Sequence, residues 1–403
     1  MTMDSSKGLC ALAFSGGLDT SWCVSWLQSQ GYAVATLTID TGGFDAAETA
    51  RIAALSKQLG AVAHHQVDAR AELWQDWLRY LLYGNVLRGQ MYPLSVSAER
   101  VCQARRLALL AKEIGAQAIA HGSTGAGNDQ VRFDVAFRAL CPQLKLITPI
   151  RQLAISREQE LADLAERGVE VPARAKRYSV NEGMWGTSVG GQETHDSWQH
   201  LPDDAWPGGL VDPARAPRTL QISFERGTPV AIDDEPADPV ALIEQLNQLG
   251  RRYGIGRGIH LGDTILGIKG RVGYEAPAAH LLIAAHRELE KLVLSGKQLF
   301  WKESLGALYG SLVHEGNAFD PLARDLEALL LSSQRSVTGE VRLLLRPHGF
   351  EVQGVRSPHS LMQSRIASYG EGAKAWTGEE AAGYAKIFGI GQQISLAAAR
   401  GAE

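Results

Sequence analysis

Five short runs of apolar residues punctuate the first part of the chain: LCALAF (9–14), YAVATLTI (32–39), AVAHHQV (61–67), AQAIAH (116–121) and LKLITPI (144–150). Runs of this length, ended by Gly, Asp or Thr, read as strands. The stretches between them are spaced as helices: TSWCVSWLQSQ, AAETARIAALSKQL, the long stretch Ala71 to Leu87, and AERVCQARRLALLAKEI. Strand and helix alternating through Gly-rich exits predicts an α/β domain built on a doubly wound parallel sheet. Ligands of such sheets gather at the carboxyl ends of the strands.

The pattern changes after about Pro172. Residues 194–218 are rich in Pro, Asp and Trp and read as a long ordered loop or crossover. Strands follow near QISFERG and VAI, with helices over Pro239–Leu249, Pro277–Leu294 and Pro321–Ser333. TGEVRLLLRPHGFEVQGV reads as a hairpin turning at RPHG, and Ser357 to Gly389 as a tail of short helices. The expectation is three parts: 1–172, a second α+β domain over 173–368, and a C-terminal helical arm over 369–403. No internal repeat or low-complexity segment is visible.

With 403 residues, a net charge of -4 and 21% charged residues, the composition is that of an ordinary globular protein. The slightly acidic balance disfavours nucleic acid as a partner. No apolar run approaches the roughly 18 residues of a membrane span, and MTMDSSKG lacks a signal-peptide pattern. Cys10, Cys23, Cys102 and Cys141 form no CxxC pair and read as buried reduced thiols, which places the chain in the cytoplasm.

Candidate chemistry sits where strands end. SGGLDTS (15–21) follows the first strand and opens a helix with hydroxyls. Glycines let backbone N–H groups turn toward an anion, and a helix N-terminus adds its positive end. The dipole contributes only about 0.3–1 kcal/mol, so a triphosphate needs further cationic help. HGSTGAGNDQVRFD (121–134) repeats the design after the fourth strand. There Asn128 or Asp129 is expected to cap a helix, and Arg132 shares a face with Asn128. In MYPLSVSAER (91–100), Ser97 and Arg100 lie three apart at a helix start that receives a carboxylate well.

SGGLDTS resembles the PP-motif of the ATP pyrophosphatases, whose loop holds pyrophosphate as ATP is cleaved between its α and β phosphates. HGSTGAGNDQVRF narrows the resemblance to the argininosuccinate synthase family, and the similarity extends to KGRVGYE and SVTGEVRL. It implies a nucleotide-binding domain, a synthetase and multimerisation domain, and a homotetramer. It also implies ATP as substrate with Mg²⁺, adenylation of the citrulline ureido oxygen, and displacement of AMP by aspartate. By the same resemblance Ala13, Phe14, Ser15, Gly16, Gly17, Leu18, Asp19, Thr20, Ser21, Ile39 and Gly122 hold ATP. Thr124, Asn128 and Asp129 meet aspartate. Tyr92, Ser97, Arg100, Asn128, Arg132, Ser179, Ser188 and Tyr274 meet citrulline, and Asp129 and Arg132 are the pair expected to carry catalysis. No protein metal cage is visible.

Three positions depart from the family pattern. Ala126 stands where GKGND has Lys, Gly262 stands where a Glu precedes the matched Tyr274 by twelve residues, and WGTSVGG differs from the commoner stretch with His and Glu. Asp263 lies beside the missing Glu. These departures keep a modified citrulline or another ureido acceptor open as the alternative substrate. A tRNA-thiolating enzyme is disfavoured by the absence of CxxC, a glutamine-fed synthetase by the lack of an amidotransferase nucleophile, and a non-catalytic paralogue by the intact Asp129 and Arg132.

Overall fold

The computed structural model describes residues 7–169, 178–364, 366–367 and 375–401. The expected boundaries at 172/173 and 368/369 fall outside these residues. The chain begins β1 (Leu9–Ala13), α1 (Leu18–Ser29), β2 (Ala33–Asp40), α2 (Ala46–Gln58) and β3 (Ala63–Asp68). A continuous helical segment follows: α3 (Arg70–Leu73), a π turn (Trp74–Leu78) and α4 (Arg79–Tyr83). Then come α5 (Ser97–Glu113), β4 (Ala118–Ala120), α6 (Asp129–Leu140), β5 (Lys145–Ile147), α7 (Pro149–Leu153) and α8 (Arg157–Glu166). The five strands pair in parallel in the order β3-β2-β1-β4-β5. The chain reverses its direction of travel across the sheet between β1 and β4, and the crevice at their carboxyl ends is where such sheets bind ligands.

Side-chain alternation along β1 splits the core between the two faces. Cys10, Leu12 and Phe14 pack with α1 and α8, while Ala11 faces the cluster that continues through α5 into the second half of the chain. All four cysteines are buried and unpaired, as expected.

The second half holds two antiparallel sheets. One is built from β6 (Tyr178–Gly183), β7 (Gly186–Gly191), β11 (Arg257–Asp263) and β12 (Lys269–Glu275), in the order β11-β12-β7-β6. The other comprises β8 (Arg218–Glu225), β9 (Thr228–Ile232), β10 (Glu235–Pro236), β13 (Gly339–Arg346) and β14 (Gly349–Arg356). β13 and β14 form the expected hairpin, turning at Pro347 and His348. Helices α9 (Pro239–Arg252), α10 (Pro277–Val293), α11 (Gly296–Glu315), α12 (Pro321–Ser333) and α13 (Gly378–Gly401) complete the fold.

Two expectations need correction. The tail carries a 24-residue helix, α13, rather than a run of short ones, and none of its residues is buried. The sequence pattern also passes over α11. Its large apolar residues point several ways, with Phe300, Trp301 and Leu308 exposed while Tyr309 and Val313 are buried, so no single stripe announces it. The local signals are present all the same: Ser295 and Gln298 form a capping box, and Gly316 ends the helix at φ +83. Among the described residues no helix is long and apolar enough to cross a membrane.

Candidate active site

The loop after β1 is held at both ends. The Phe14 amide donates to the Leu37 carbonyl (2.9 Å), and Thr38 Oγ1 donates to the Phe14 carbonyl (2.7 Å). Arg51 donates to the Gly16 carbonyl (3.3 Å). Gly17 begins α1 in extended conformation with no side-chain cap, so the first-turn amides have no partner within the helix and are free to meet an anion. Ser15 and Thr20 hydroxyls lie 3.3 Å apart across the turn, and Ile39 is buried on the neighbouring β2. Gly16 has φ +66, and a Cβ there would stand 2.8 Å from Ile52. Gly16→Ala therefore costs about 1–2 kcal/mol locally and misdirects the loop. With ATP in this loop, as the sequence resemblance implies, the KM for ATP is expected to rise roughly tenfold with the KM for citrulline unchanged in initial-rate assays.

The loop after β4 lies against this one. A Cβ on Gly122 would sit 3.3–3.4 Å from Thr20, Asp19 and Cys23, so the glycine allows the two loops to approach. Beneath them Glu160 of α8 is almost wholly buried, its Oε2 without a hydrogen-bond partner. Burial first, then the charge and hydrogen bond of Asp19, push its carboxyl up to about 8. Thr124 is exposed in the second loop. Asn128 precedes α6, but its side chain makes no cap; instead Asn128 Oδ1 accepts from the Ile265 amide (2.9 Å), docking the β11–β12 turn against the parallel-sheet domain. The capping expectation is thus corrected.

Asp129 is the centre of the polar cluster. Its two oxygens accept from Arg100 Nε and Arg132 Nη1, each at 2.8 Å. Burial opposes ionisation, but the charges of Arg100 and Arg132, reinforced by their hydrogen bonds, prevail and hold the carboxyl down at about 2. Arg100 also donates to Gln103 and Asn181. Arg132 donates to the His314 carbonyl (2.8 Å) and to His314 Nδ1 (3.1 Å). A guanidinium has no acceptor, so His314 Nδ1 carries the lone pair and the ring is neutral. Burial, then Arg132 and Arg88, push its pKa down in agreement. Ser97 lies 3.2 Å from the same nitrogen.

The remaining candidates come from the loop before α5 and from the four-stranded sheet. Asn85, Gln90, Leu94 and Val96 all have positive φ, and Val96 is β-branched. Such strain persists where surrounding contacts over-determine it, most often at functional sites. Here Tyr92 Oη donates to the Ser95 carbonyl (2.9 Å), and Trp185 Nε1 donates to the Pro93 carbonyl (2.9 Å). Tyr92 packs on Tyr274 with ring centres 5.2 Å apart. Tyr274 pairs with Ser188, and Ser188 with Asn181, so these three share a sheet face. Ser179 lies one step further along that face and is exposed. Asn181, Glu99, His260 and His314 also belong to this region and were not singled out in the sequence. Glu99, wholly buried, accepts from the Trp185 amide (3.1 Å), and burial pushes it up to about 7.

Two family models cover almost the whole chain. Arginosuccinate synthase N-terminal HUP domain matches residues 9–170, and Arginosuccinate synthase C-terminal domain matches 178–395. The chain belongs to the argininosuccinate synthase family. Relatives named argininosuccinate synthase include those of Xanthomonas campestris pv. campestris (40% identical over 97% of this chain and 98% of the relative) and Dictyoglomus turgidum (39%, over 94% and 95%). That of Methanocaldococcus jannaschii is 37% identical over 95% of this chain and 96% of its own. In this synthase-family chain two Gly loops meet at the β1–β4 crevice, and the carboxylate–arginine cluster stands at the start of α6 beside it.

Proposed function

We propose that the chain condenses citrulline with aspartate to argininosuccinate, cleaving ATP to AMP and pyrophosphate, a ligase reaction of arginine biosynthesis. The observation that carries this reading is the meeting of the two Gly loops at the β1–β4 crevice, with Gly122 against Asp19 and Thr20.

In the first step the citrulline ureido oxygen attacks the α phosphorus of ATP. The bridging P–O bond breaks and pyrophosphate leaves onto the amides of residues 16–20, with Ser15, Thr20 and Ser21 beside it. The ureido carbon is now bonded to an AMP leaving group. The aspartate amine attacks that carbon, AMP departs with the former ureido oxygen, and the amine loses a proton. A phosphate oxygen of the substrate takes this proton, because Asp129 is held ionised between two arginines and is a weak base. Thr124, Asn128 and Asp129 receive aspartate. Three of the five N–H groups of the Arg132 guanidinium are engaged, which leaves two for the ureido group. Tyr92, Ser97, Arg100, Ser188 and Tyr274 shape the citrulline pocket, with Ser179 at its rim. Holding three reactants together removes up to about 7–11 kcal/mol of entropic barrier.

Mg²⁺ bound with the triphosphate supplies charge neutralisation. Asp19 and Glu160 would hold it: a buried, unpartnered carboxylate oxygen beside a second carboxylate fits a hard cation.

We place the reaction in the cytosol, where four unpaired buried thiols stay reduced, and infer a homotetramer. Its support is α13, which exposes Tyr384, Ile387, Phe388, Ile390 and Ile394 and has no buried residue. Pyrophosphate release tests the reaction. It is expected to require citrulline and Mg-ATP, with argininosuccinate appearing only once aspartate is added. Release without citrulline would overturn the reading.

A further inference from the structure

The position of Gly262 has a specific occupant. Its ideal Cβ would lie 2.5 Å from His260 Nε2, so the imidazole two residues earlier fills the space a side chain at 262 would take. Both residues lie on the face of β11 that carries Tyr274 on β12, since Gly258, His260 and Gly262 pair with Tyr274, Val272 and Gly270. The His260 ring stacks on Tyr92 at 5.1 Å, with its Cε1 close to Gly89 in the same strained loop. It is half-buried, and among the described residues its ring nitrogens have no hydrogen-bond partner. A ring fixed by stacking on Tyr92, with both nitrogens unspent and Nε2 over Gly262, is built to meet a ligand.

The charges around it narrow what that ligand presents. Arg88 reaches over to the Asp263 carbonyl (3.3 Å), while the Asp263 carboxylate pairs with Lys269 (2.7 Å) and is exposed. Across the pocket, α11 contributes neutral His314, and Asp129 is already shared by Arg100 and Arg132. Burial and Arg88 keep the His260 pKa below its usual value, so the ring offers one lone pair and one N–H. Glu99, also of this region, is wholly buried and accepts from the Trp185 amide, its Oε2 having no hydrogen-bond partner.

We propose that His260 is the specificity-determining residue of the acceptor site, its ring nitrogen accepting a hydrogen bond from the α-nitrogen of the ureido substrate. This rests on the placement of citrulline between Tyr92 and Tyr274 given above. A lone pair accepts from an ammonium or from an amide N–H, whereas a carboxylate left without its ammonium is a buried unpaired charge, which a site rejects strongly. The pocket therefore takes both citrulline and an N-acylated citrulline.

The test measures kcat/KM for citrulline and for N-acetylcitrulline by pyrophosphate release, at saturating Mg-ATP and aspartate. The variants are His260→Ala, His260→Gln and His260→Ala/Gly262→Glu in the full chain. The wild type is expected to use both acceptors within about tenfold. His260→Ala raises both acceptor KM values by about tenfold, the upper range for one hydrogen bond, with the ATP KM unchanged. His260→Gln, whose amide oxygen also accepts, recovers most of the loss and keeps the proposal testable if the alanine variant folds poorly. The double variant regains citrulline and loses the acetylated acceptor. A wild type that rejects N-acetylcitrulline by a thousandfold, or acceptor KM values indifferent to His260→Ala, overturns the proposal. A wild type inert with both acceptors overturns the ligase reading instead, and this inference with it.

Discussion

Asp129→Ala is expected to lower argininosuccinate formation by roughly a hundred- to thousandfold while ATP binding persists. The carboxylate is the shared partner of Arg100 and Arg132, both at 2.8 Å. Removing it leaves two guanidinium groups facing each other in a largely buried cluster. Truncating one partner of a buried, hydrogen-bonded charge pair in a binding site costs about 2–5 kcal/mol, and roughly 3–4 kcal/mol of that lost in the transition state corresponds to the loss stated. The aspartate-dependent half of the reaction takes the larger share, since the amino group of aspartate loses its receiving carboxylate. Asp129→Asn, similar in size but uncharged, is expected to fall nearly as far. The Asp129 pKa is depressed to about 2. Its contribution to stability is thus complete above its unfolded value near 3.9 and is lost only as pH falls through 2. The KM for aspartate should accordingly show no titration of Asp129 between about pH 5 and 8. An Asp129→Ala enzyme with wild-type turnover would remove the carboxylate from the mechanism.

The second large effect concerns the scaffold that carries His314 to Arg132. Glu290 of α10 is wholly buried and accepts from Asn85 (2.6 Å), Gln334 (3.0 Å) and Lys302 of α11 (2.8 Å). Lys302, itself buried, also donates to the Tyr83 carbonyl at the end of α4. Glu290→Ala strands the Lys302 ammonium in the core and is expected to destabilise the fold by about 3–5 kcal/mol. The corresponding loss of Tm in calorimetry is about 4–6 °C. A Glu290→Gln/Lys302→Met double variant, which removes both charges, should lose much less. Equal losses in the single and double variants would show that packing, not charge pairing, holds the helices.

What the sequence made legible follows from how local each cause is. The two Gly loops could be read because Gly, Ser, Thr and Asp at a strand exit act within a few residues of chain. Their convergence followed from the parallel strand–helix alternation, and β1 and β4 are adjacent. The partner of Arg132 was not legible. His314 lies 182 residues away, at the end of a helix whose apolar residues face several directions. The Gly-rich stretches 178–193 and 262–275 show no strand pattern in the sequence; most of their residues lie in strands because pairing positions them in a sheet. Asn128 illustrates the remaining difficulty. Its type and place fit a helix cap, yet its oxygen is used across the domain seam by Ile265. His260 carried no motif at all, and only the space over Gly262 reveals its place.

In the proposed reaction the ureido oxygen becomes the leaving group. The measurement that tests it most directly uses citrulline labelled with ¹⁸O in the ureido position, turned over with Mg-ATP and aspartate, followed by mass analysis of the AMP released. One ¹⁸O per AMP is expected, because the oxygen that attacks the α phosphorus departs with it. Unlabelled AMP would contradict adenylation of the ureido group, and with it the roles given to Arg132 and the crevice between the two loops.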